Sequence, residues 1–153
     1  MSSTIRKICV PTDFSEPSRR AITYALALAR GFGASLYVIH VLKDHARYHT
    51  ARTALAETAA TLDDGLGGIA TEVRMGDVAE SIGEAARHYG ADLVVMATHG
   101  RTGLSHAISG SVAEDVIRTA CCPVLVLRDS GTVRVHRGSS ARPEPARRLA
   151  GVA

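Results

Sequence analysis

Residues 96–111, Met96-Ala-Thr-His-Gly-Arg-Thr-Gly-Leu-Ser-His-Ala-Ile-Ser-Gly-Ser111, join two stretches of different hydrophobic period. Ahead of them, Asp92-Leu-Val-Val-Met96 is an apolar run of the kind that forms a buried parallel strand. Behind them, Val112 to Ala120 carries a helical pattern. A loop of small residues thus leaves the carboxyl end of a strand and feeds a helix N-terminus. In α/β proteins that junction binds phosphate, because backbone N–H groups converge there and the helix dipole favours negative charge. Its glycines allow positive φ and close approach of the backbone to an anion. The stretch points to a nucleotide.

The pattern around it repeats the same logic. Ile5–Pro11 reads as a short apolar strand, and Pro17–Phe32 as a helix with Ala21, Ala25, Leu28 and Phe32 on one face. Pro17 suits the first turn of that helix, and Gly31 and Gly33 suit its end. Ser35–Val41 is a second strand, and Ala46–Leu62 is helical by composition with a weak apolar stripe. Residues 63–68 form a turn cluster. Ile69–Met75 alternates and predicts a half-exposed or edge strand. Asp77–Tyr89 is a helix opened by a capping pair, Asp77 with Glu80. Asp92–Ala97, Ser111–Cys121 and Pro123–Arg128 follow as strand, helix and strand. Alternation of this kind predicts a parallel sheet with right-handed crossovers and helices on both faces. No internal repeat is evident.

At 153 residues the chain suits one domain with a sizeable core. Apolar residues make up 46% and aromatics only 4%, so the core must be built from Ala, Val, Leu and Ile. No apolar run approaches the roughly 20 residues of a membrane helix. The first seven residues carry no signal-peptide apolar region, and a cytoplasmic protein is expected. Net charge is +3, yet residues 131–153 hold five Arg and one Glu. The preceding 130 residues then carry 13 basic and 14 acidic groups, close to neutrality. The pI near 9.0 is therefore a property of the tail, which argues against nucleic acid as a partner of the fold. Rich in Gly, Ser, Pro and Arg, residues 131–153 read as a basic, disordered tail after a domain spanning 1–130.

Three cysteines, Cys9, Cys121 and Cys122, form neither a CxxC motif nor an even set, so no disulfide framework is expected. Cys9 reads as a small core residue. The vicinal pair reads as ordinary packing, with redox sensing as the alternative. His45 and His49 lie four apart without a third ligand, and no metal site is expected. His99 and His106 have no evident catalytic partner. Neither Gly-x4-Gly-Lys-Ser/Thr nor Gly-x-Gly-x-x-Gly after the first strand is present. A P-loop lysine for phosphoryl transfer is thus missing, and dinucleotide binding is disfavoured.

In a doubly wound sheet, ligands sit beyond the carboxyl ends of strands where the strand order reverses. The first strand ends in Pro11-Thr12-Asp13 and the fourth in Met96-Ala97. If those strands are neighbours, Asp13 faces the 100–111 loop. A carboxylate there suits a ribose hydroxyl or a metal-bound phosphate, and it also suits a turn or cap before Ser15. Ser111 suits a phosphate or Mg²⁺ through its hydroxyl. It equally opens a capping box, Ser111-Val-Ala-Glu114. Arg101 suits phosphate as a fork, or solvent at a loop tip.

These pieces together resemble the universal stress proteins of the UspA family. The residues that carry the likeness are Val10-Pro-Thr-Asp-Phe-Ser15, His40-Val41, Gly76-Asp77, the 96–111 loop and Cys122-Pro-Val-Leu-Val126. They run in order through residues 5–128, and the tail lies outside. The resemblance implies a doubly wound five-stranded parallel sheet of order 3-2-1-4-5, similar to the adenine-nucleotide alpha-hydrolases. The ATP-binding members carry Gly-x2-Gly-x9-Gly-Ser/Thr, which falls here on Ala97, Gly100, Gly110 and Ser111. Ala97 departs from it. If positive φ is needed there, alanine is strained by roughly 1–2 kcal/mol.

By resemblance Asp13 meets the ribose region and the Val41 backbone meets the adenine edge, and Pro11, Thr12, Met96 and Ala97 also belong to the nucleotide site. Gly100, Arg101, Gly103, Gly110, Ser111 and Val112 line the phosphates. The expected cofactor is ATP, with Mg²⁺ as an optional companion. The expected role is a stress-response regulator with slow or no ATP hydrolysis. A member that has lost nucleotide and acts through protein contacts is the alternative, and an adenylate-forming enzyme is disfavoured. The last strand is an apolar sheet edge, so a C2 homodimer through it is expected, as the resemblance also implies.

Overall fold

The computed structural model describes residues 4–62, 69–98, 111–128 and 133–138. Its elements are β1 (Lys7–Pro11), α1 (Glu16–Phe32), β2 (Ser35–Leu42), a 3-10 turn (His45–Arg47), α2 (Tyr48–Leu62) and β3 (Ile69–Met75). They continue with α3 (Val78–Tyr89), β4 (Leu93–Ala97), α4 (Ser111–Thr119), β5 (Val124–Leu127) and β6 (Val133–His136). The six strands form one sheet of order β3-β2-β1-β4-β5-β6. The first five are parallel, and β6 runs antiparallel to β5.

Alternation along the strands divides the core. Ile8, Val10, Leu36, Val38, Leu93, Val95 and Leu125 pack under α1, with Leu55 of α2 reaching the same layer. Cys9, Ile39, Val94, Met96, Val124 and Val126 face α3 and α4. Helix α1 presents Ala21, Ile22, Ala25, Leu26 and Ala29 to the sheet, and its small side chains let it lie close. Ser15 caps its start. Helix α2 buries only Ala51 and Leu55, in keeping with its weak stripe.

The crossover from β3 to β4 is fastened at both ends. Helix α3 opens on Asp77, whose carboxylate accepts from the Glu80 N–H at 3.0 Å, and closes on Gly90 at φ 62°. The chain then turns into β4, and Asp92 latches it to β1 by accepting from the N–H groups of Arg6 (2.9 Å) and Lys7 (3.0 Å).

Strand β3 is half-exposed at one edge, as its alternation predicts. The side that no helix fully covers carries a polar cluster. The Tyr37 and Tyr89 rings stack with centroids 3.5 Å apart, and both hydroxyls donate to Glu72, that of Tyr37 at 3.1 Å. Arg74 lies 3.4 Å from the same carboxylate. Burial alone raises the Glu72 acid, but the hydrogen bonds from Tyr89 and Tyr37 and the charge of Arg74 outweigh it and hold it below its ordinary value. Burial, and then those bonds, push both tyrosines up.

The other edge corrects the sequence reading. Five strands with β5 outermost were expected, and 131–153 was expected to be disordered throughout. Residues Val133–His136 instead form a sixth strand along β5. Valine at alternate positions supports extended backbone even in an Arg-rich surrounding. Strand β5 is therefore flanked by β4 on one side and β6 on the other.

Candidate functional site

Strand order reverses at β1. Its neighbour β2 is reached through α1 on one face, and its neighbour β4 begins the half of the sheet wound over the other face. A crevice must open beyond the carboxyl ends of β1 and β4, and the expected site residues of both strands end there.

Pro11 closes β1. Thr12 follows, 5% exposed, with its N–H donating to the Ile39 carbonyl at 2.8 Å. Its hydroxyl pairs with that of Ser18 at 2.9 Å and accepts from the Phe14 N–H at 3.0 Å. Asp13 is exposed, and its Oδ1 accepts from the Ser15 N–H (3.0 Å) and from the Ser15 hydroxyl. The turn reading and the site reading of Asp13 thus coexist: the carboxylate is oriented by the turn it helps to make. Phe14 has φ 64°, the sole positive value among described residues other than glycine. An aromatic residue held there costs of order 1–3 kcal/mol and persists only where its surroundings over-determine it. The Thr12 hydroxyl does so by accepting from its N–H, and the His40 ring packs on Phe14 with centroids 4.6 Å apart.

His40, on β2, contributes a second tie. Its Nδ1 lies 2.7 Å from the Thr12 carbonyl. Val41 follows, half-buried against the α3 layer. Met96 is buried in β4, and Ala97 ends that strand paired with Leu127. Ala97 has no positive φ, so the strain that alanine would suffer in a left-handed turn does not arise. Thr98 continues the pairing, donating its N–H to Leu127 at 3.1 Å, and is 7% exposed.

Ser111 is the first residue of α4 and is exposed, as is Val112. The Ser111 side chain makes no hydrogen bond to another described residue, so the capping box with Glu114 is not formed among them. Its hydroxyl stands at a helix start, where an anion is favoured. Gly100, Arg101, Gly103 and Gly110, with His99 and His106, lie outside the described residues.

Reasoning from the sequence missed Phe14 as a strained residue, His40 as the clasp on Thr12, and Thr98 and Ser18 as buried polar groups. Only the placement of polar residues directly after apolar strands could have signalled them. Cys9 and Cys122 are buried, and none of the three cysteines is bridged. No three metal-ligating side chains gather among the described residues. A groove of about 440 Å³ between α3 and α4, lined by Glu80, Glu84, Arg87, Asp115 and Arg118 among others, contains none of the expected site residues.

Comparison with known proteins agrees with this architecture. The profile of the Universal stress protein family matches residues 4–128. Universal stress protein MJ0531 of Methanocaldococcus jannaschii is 35% identical over 139 residues, covering 80% of this chain and 82% of that protein. A universal stress protein of Thermus aquaticus is 31% identical over 135 residues, covering 80% of this chain and 98% of its own. Among solved structures, a universal stress protein in complex with cAMP superposes with a TM-score of 0.67 at 25% identity, covering 82% of this chain and 98% of that one. UspA from Lactobacillus plantarum shares the fold, with a TM-score of 0.70 at 22% identity, covering 81% of this chain and 98% of that one. No helix among the described residues is long and apolar enough to cross a membrane. The chain belongs to the universal stress protein family.

Proposed function

We propose that this protein binds an adenine nucleotide, ATP first, in the crevice beyond β1 and β4, and that it acts as a cytoplasmic stress-response regulator. The observation that carries the reading is the strand order, which reverses at β1 and sets β1, followed by Thr12-Asp13, beside β4, which ends in Ala97. A family relative solved in complex with cAMP supports the same ligand class.

The residues present fit such a ligand. Asp13 is exposed and oriented by Ser15, as a carboxylate accepting from ribose hydroxyls must be. The Val41 backbone serves the adenine edge, and Pro11, Thr12, Met96 and Ala97 belong to the same site. Ser111 offers a hydroxyl with no competing bond to a described residue, at the positive end of the α4 dipole. Gly100, Arg101, Gly103, Gly110 and Val112 complete the phosphate side, and Mg²⁺ is an optional companion there. Nucleotide occupancy then biases the shape of the surrounding loops. With neither a P-loop lysine nor a positioned base in the sequence, hydrolysis is slow or absent.

Loss of nucleotide with retention of protein contacts is the competing reading, suggested by the departure at Ala97. The extended backbone of Ala97 speaks against it. Denaturing the purified protein and identifying released small molecules tests the two. An adenine nucleotide in the supernatant supports binding. A protein that is purified empty and takes up none of ATP, ADP, AMP or cyclic AMP is the interaction-only form.

A further inference from the structure

The two helix layers carry opposite charge. On one face, α1 and α2, with the 3-10 turn before α2, hold five arginines against two glutamates, a balance of +3. On the other, α3 with its cap Asp77, together with α4, holds five carboxylates against Arg87 and Arg118, a balance of −3. The groove of about 440 Å³ lies in this acidic layer, between α3 and α4. Asp77, Glu80, Glu84 and Asp115 line it beside the two arginines, so the groove is itself two charges negative. Its own ion pairs are loose and exposed: Glu84 lies 3.7 Å from Arg74, and Asp115 lies 3.3 Å from Arg118. Pairs of that kind contribute under about 1 kcal/mol and leave the carboxylates open to a further cation. A groove of this sign suits a basic ligand.

The chain carries such a ligand next to the groove. Residues 139–153 hold Arg142, Arg147 and Arg148 against Glu144. Strand β6 runs antiparallel to β5 and so returns the chain to the end of the sheet where α4 finishes. Gly138 then lies on the turn after α4: a Cβ there would stand 2.1 Å from the Cys122 carbonyl oxygen and 2.7 Å from that of Ala120. Thr119, the residue before Ala120, lines the groove. The carbonyl end of α4 also favours positive charge.

Reach is sufficient. From Gly138, extended chain at about 3.3 Å per residue takes Arg142 roughly 13 Å away and Arg147 roughly 30 Å. The α3 wall from Arg87 back to Asp77 rises only about 15 Å. Pro143 and Pro145, set between the arginines, restrict the free chain and lower the entropy lost when it docks.

We propose that residues 139–153 are an intramolecular ligand of the α3–α4 groove, with their arginines set against its carboxylates. The full chain carrying Arg147→Lys and Arg148→Lys keeps its charge and gains two amines beside Lys7 and Lys43. A carbodiimide joins an amine directly to a carboxylate it touches, and mixing isotope-labelled with unlabelled protein separates links within a chain from links between chains. Links within one chain from the new lysines to Asp77, Glu80, Glu84 or Asp115 are expected. Links only to other carboxylates, links only between chains, or no links overturn the proposal. Trypsin gives an independent reading on the full chain. Cleavage after Arg147 is expected to quicken about fivefold when Glu80→Gln, Glu84→Gln and Asp115→Asn are combined, and to stay unchanged with Glu16→Gln and Glu57→Gln on the basic layer. Salt at about 0.5 M should abolish the difference. Equal cleavage rates in the two variants overturn the proposal. The triple change also removes the pairs with Arg74 and Arg118, so its melt is followed alongside, and the links decide if it unfolds.

Discussion

His40 Nδ1 lies 2.7 Å from the backbone oxygen of Thr12, joining the carboxyl ends of β1 and β2 beside the candidate nucleotide site. A carbonyl can only accept, so Nδ1 carries the proton and Nε2 is the ring's other nitrogen. The imidazole also packs on Phe14, the residue held at φ 64°. His40 is a positioning residue for the Thr12–Asp13 turn. Replacing it by alanine removes both the clasp and the ring contact. His40→Ala is expected to weaken adenine-nucleotide binding by about tenfold, or roughly 1.4 kcal/mol, while the protein stays folded. Calorimetric titration beside a thermal melt checks this, and unchanged affinity would separate the clasp from the site.

Ala97 ends β4 in ordinary extended backbone, where glycine gains nothing from its conformational freedom. Ala97→Gly is expected to leave nucleotide affinity within about twofold and to lower stability by roughly 0.5–1 kcal/mol through the entropy of a strand glycine. A large gain in affinity would mean that the methyl group obstructs the ligand. Parallel titration and denaturant unfolding of the two proteins decide it.

Burial pushes the Cys9 thiol up to about 12, with Cys122 adding to the shift. Burial, then Cys121, pushes Cys122 up to about 12 as well. An unfolded thiol ionises near 9.0. Between those values the folded state holds protons that the unfolded state has lost, so stability falls as pH rises from about 9 toward 12, by up to ~1.4 kcal/mol per pH unit for each thiol. Urea unfolding at increasing alkaline pH should show this slope, reduced in Cys9→Ala once its packing cost is subtracted. Maleimide at neutral pH should label Cys121 first, the cysteine that is not buried.

Glu72 joins Tyr37, Tyr89 and Arg74 at the β3 margin. Its acid is held below the ordinary 4.5, so its contribution is present above that value and lost as pH falls through the folded one. Glu72→Ala is expected to cost about 1–2 kcal/mol at pH 7 by removing the carboxylate that accepts from two hydroxyls and leaving Arg74 with Glu84 alone. The difference between the two proteins should shrink in acid. A constant difference down to low pH would show that packing, not charge, holds the cluster.

Much of the fold was legible because hydrophobic period and turn chemistry agree. Strand β1, helix α1 with Pro17 and Gly33, the alternating β3, and Asp77 capping α3 all follow from local pattern. Strand β6 was not legible. Four residues, Val-Arg-Val-His, set among Gly, Ser, Pro and Arg carry too little apolar surface to announce a strand, and only β5 beside them makes one. The element ends that carry the candidate site residues were legible, since Asp13 follows the end of β1, Ala97 ends β4 and Ser111 begins α4. His40 and Phe14 were not, because their roles come from a tertiary contact between β1 and β2. The loop residues Gly100, Arg101, Gly103 and Gly110 remain expectations from the family motif.

The central claim is that the crevice beyond β1 and β4 takes an adenine nucleotide. Calorimetric titration of the nucleotide-free full chain with ATP and Mg²⁺ tests it most directly, with Gly110→Val as the paired variant. The account predicts a saturable heat for one site per chain, reduced at least tenfold in affinity by the valine. No heat with ATP, ADP, AMP or cyclic AMP at millimolar ligand, from a protein that is folded by its melt, would contradict it.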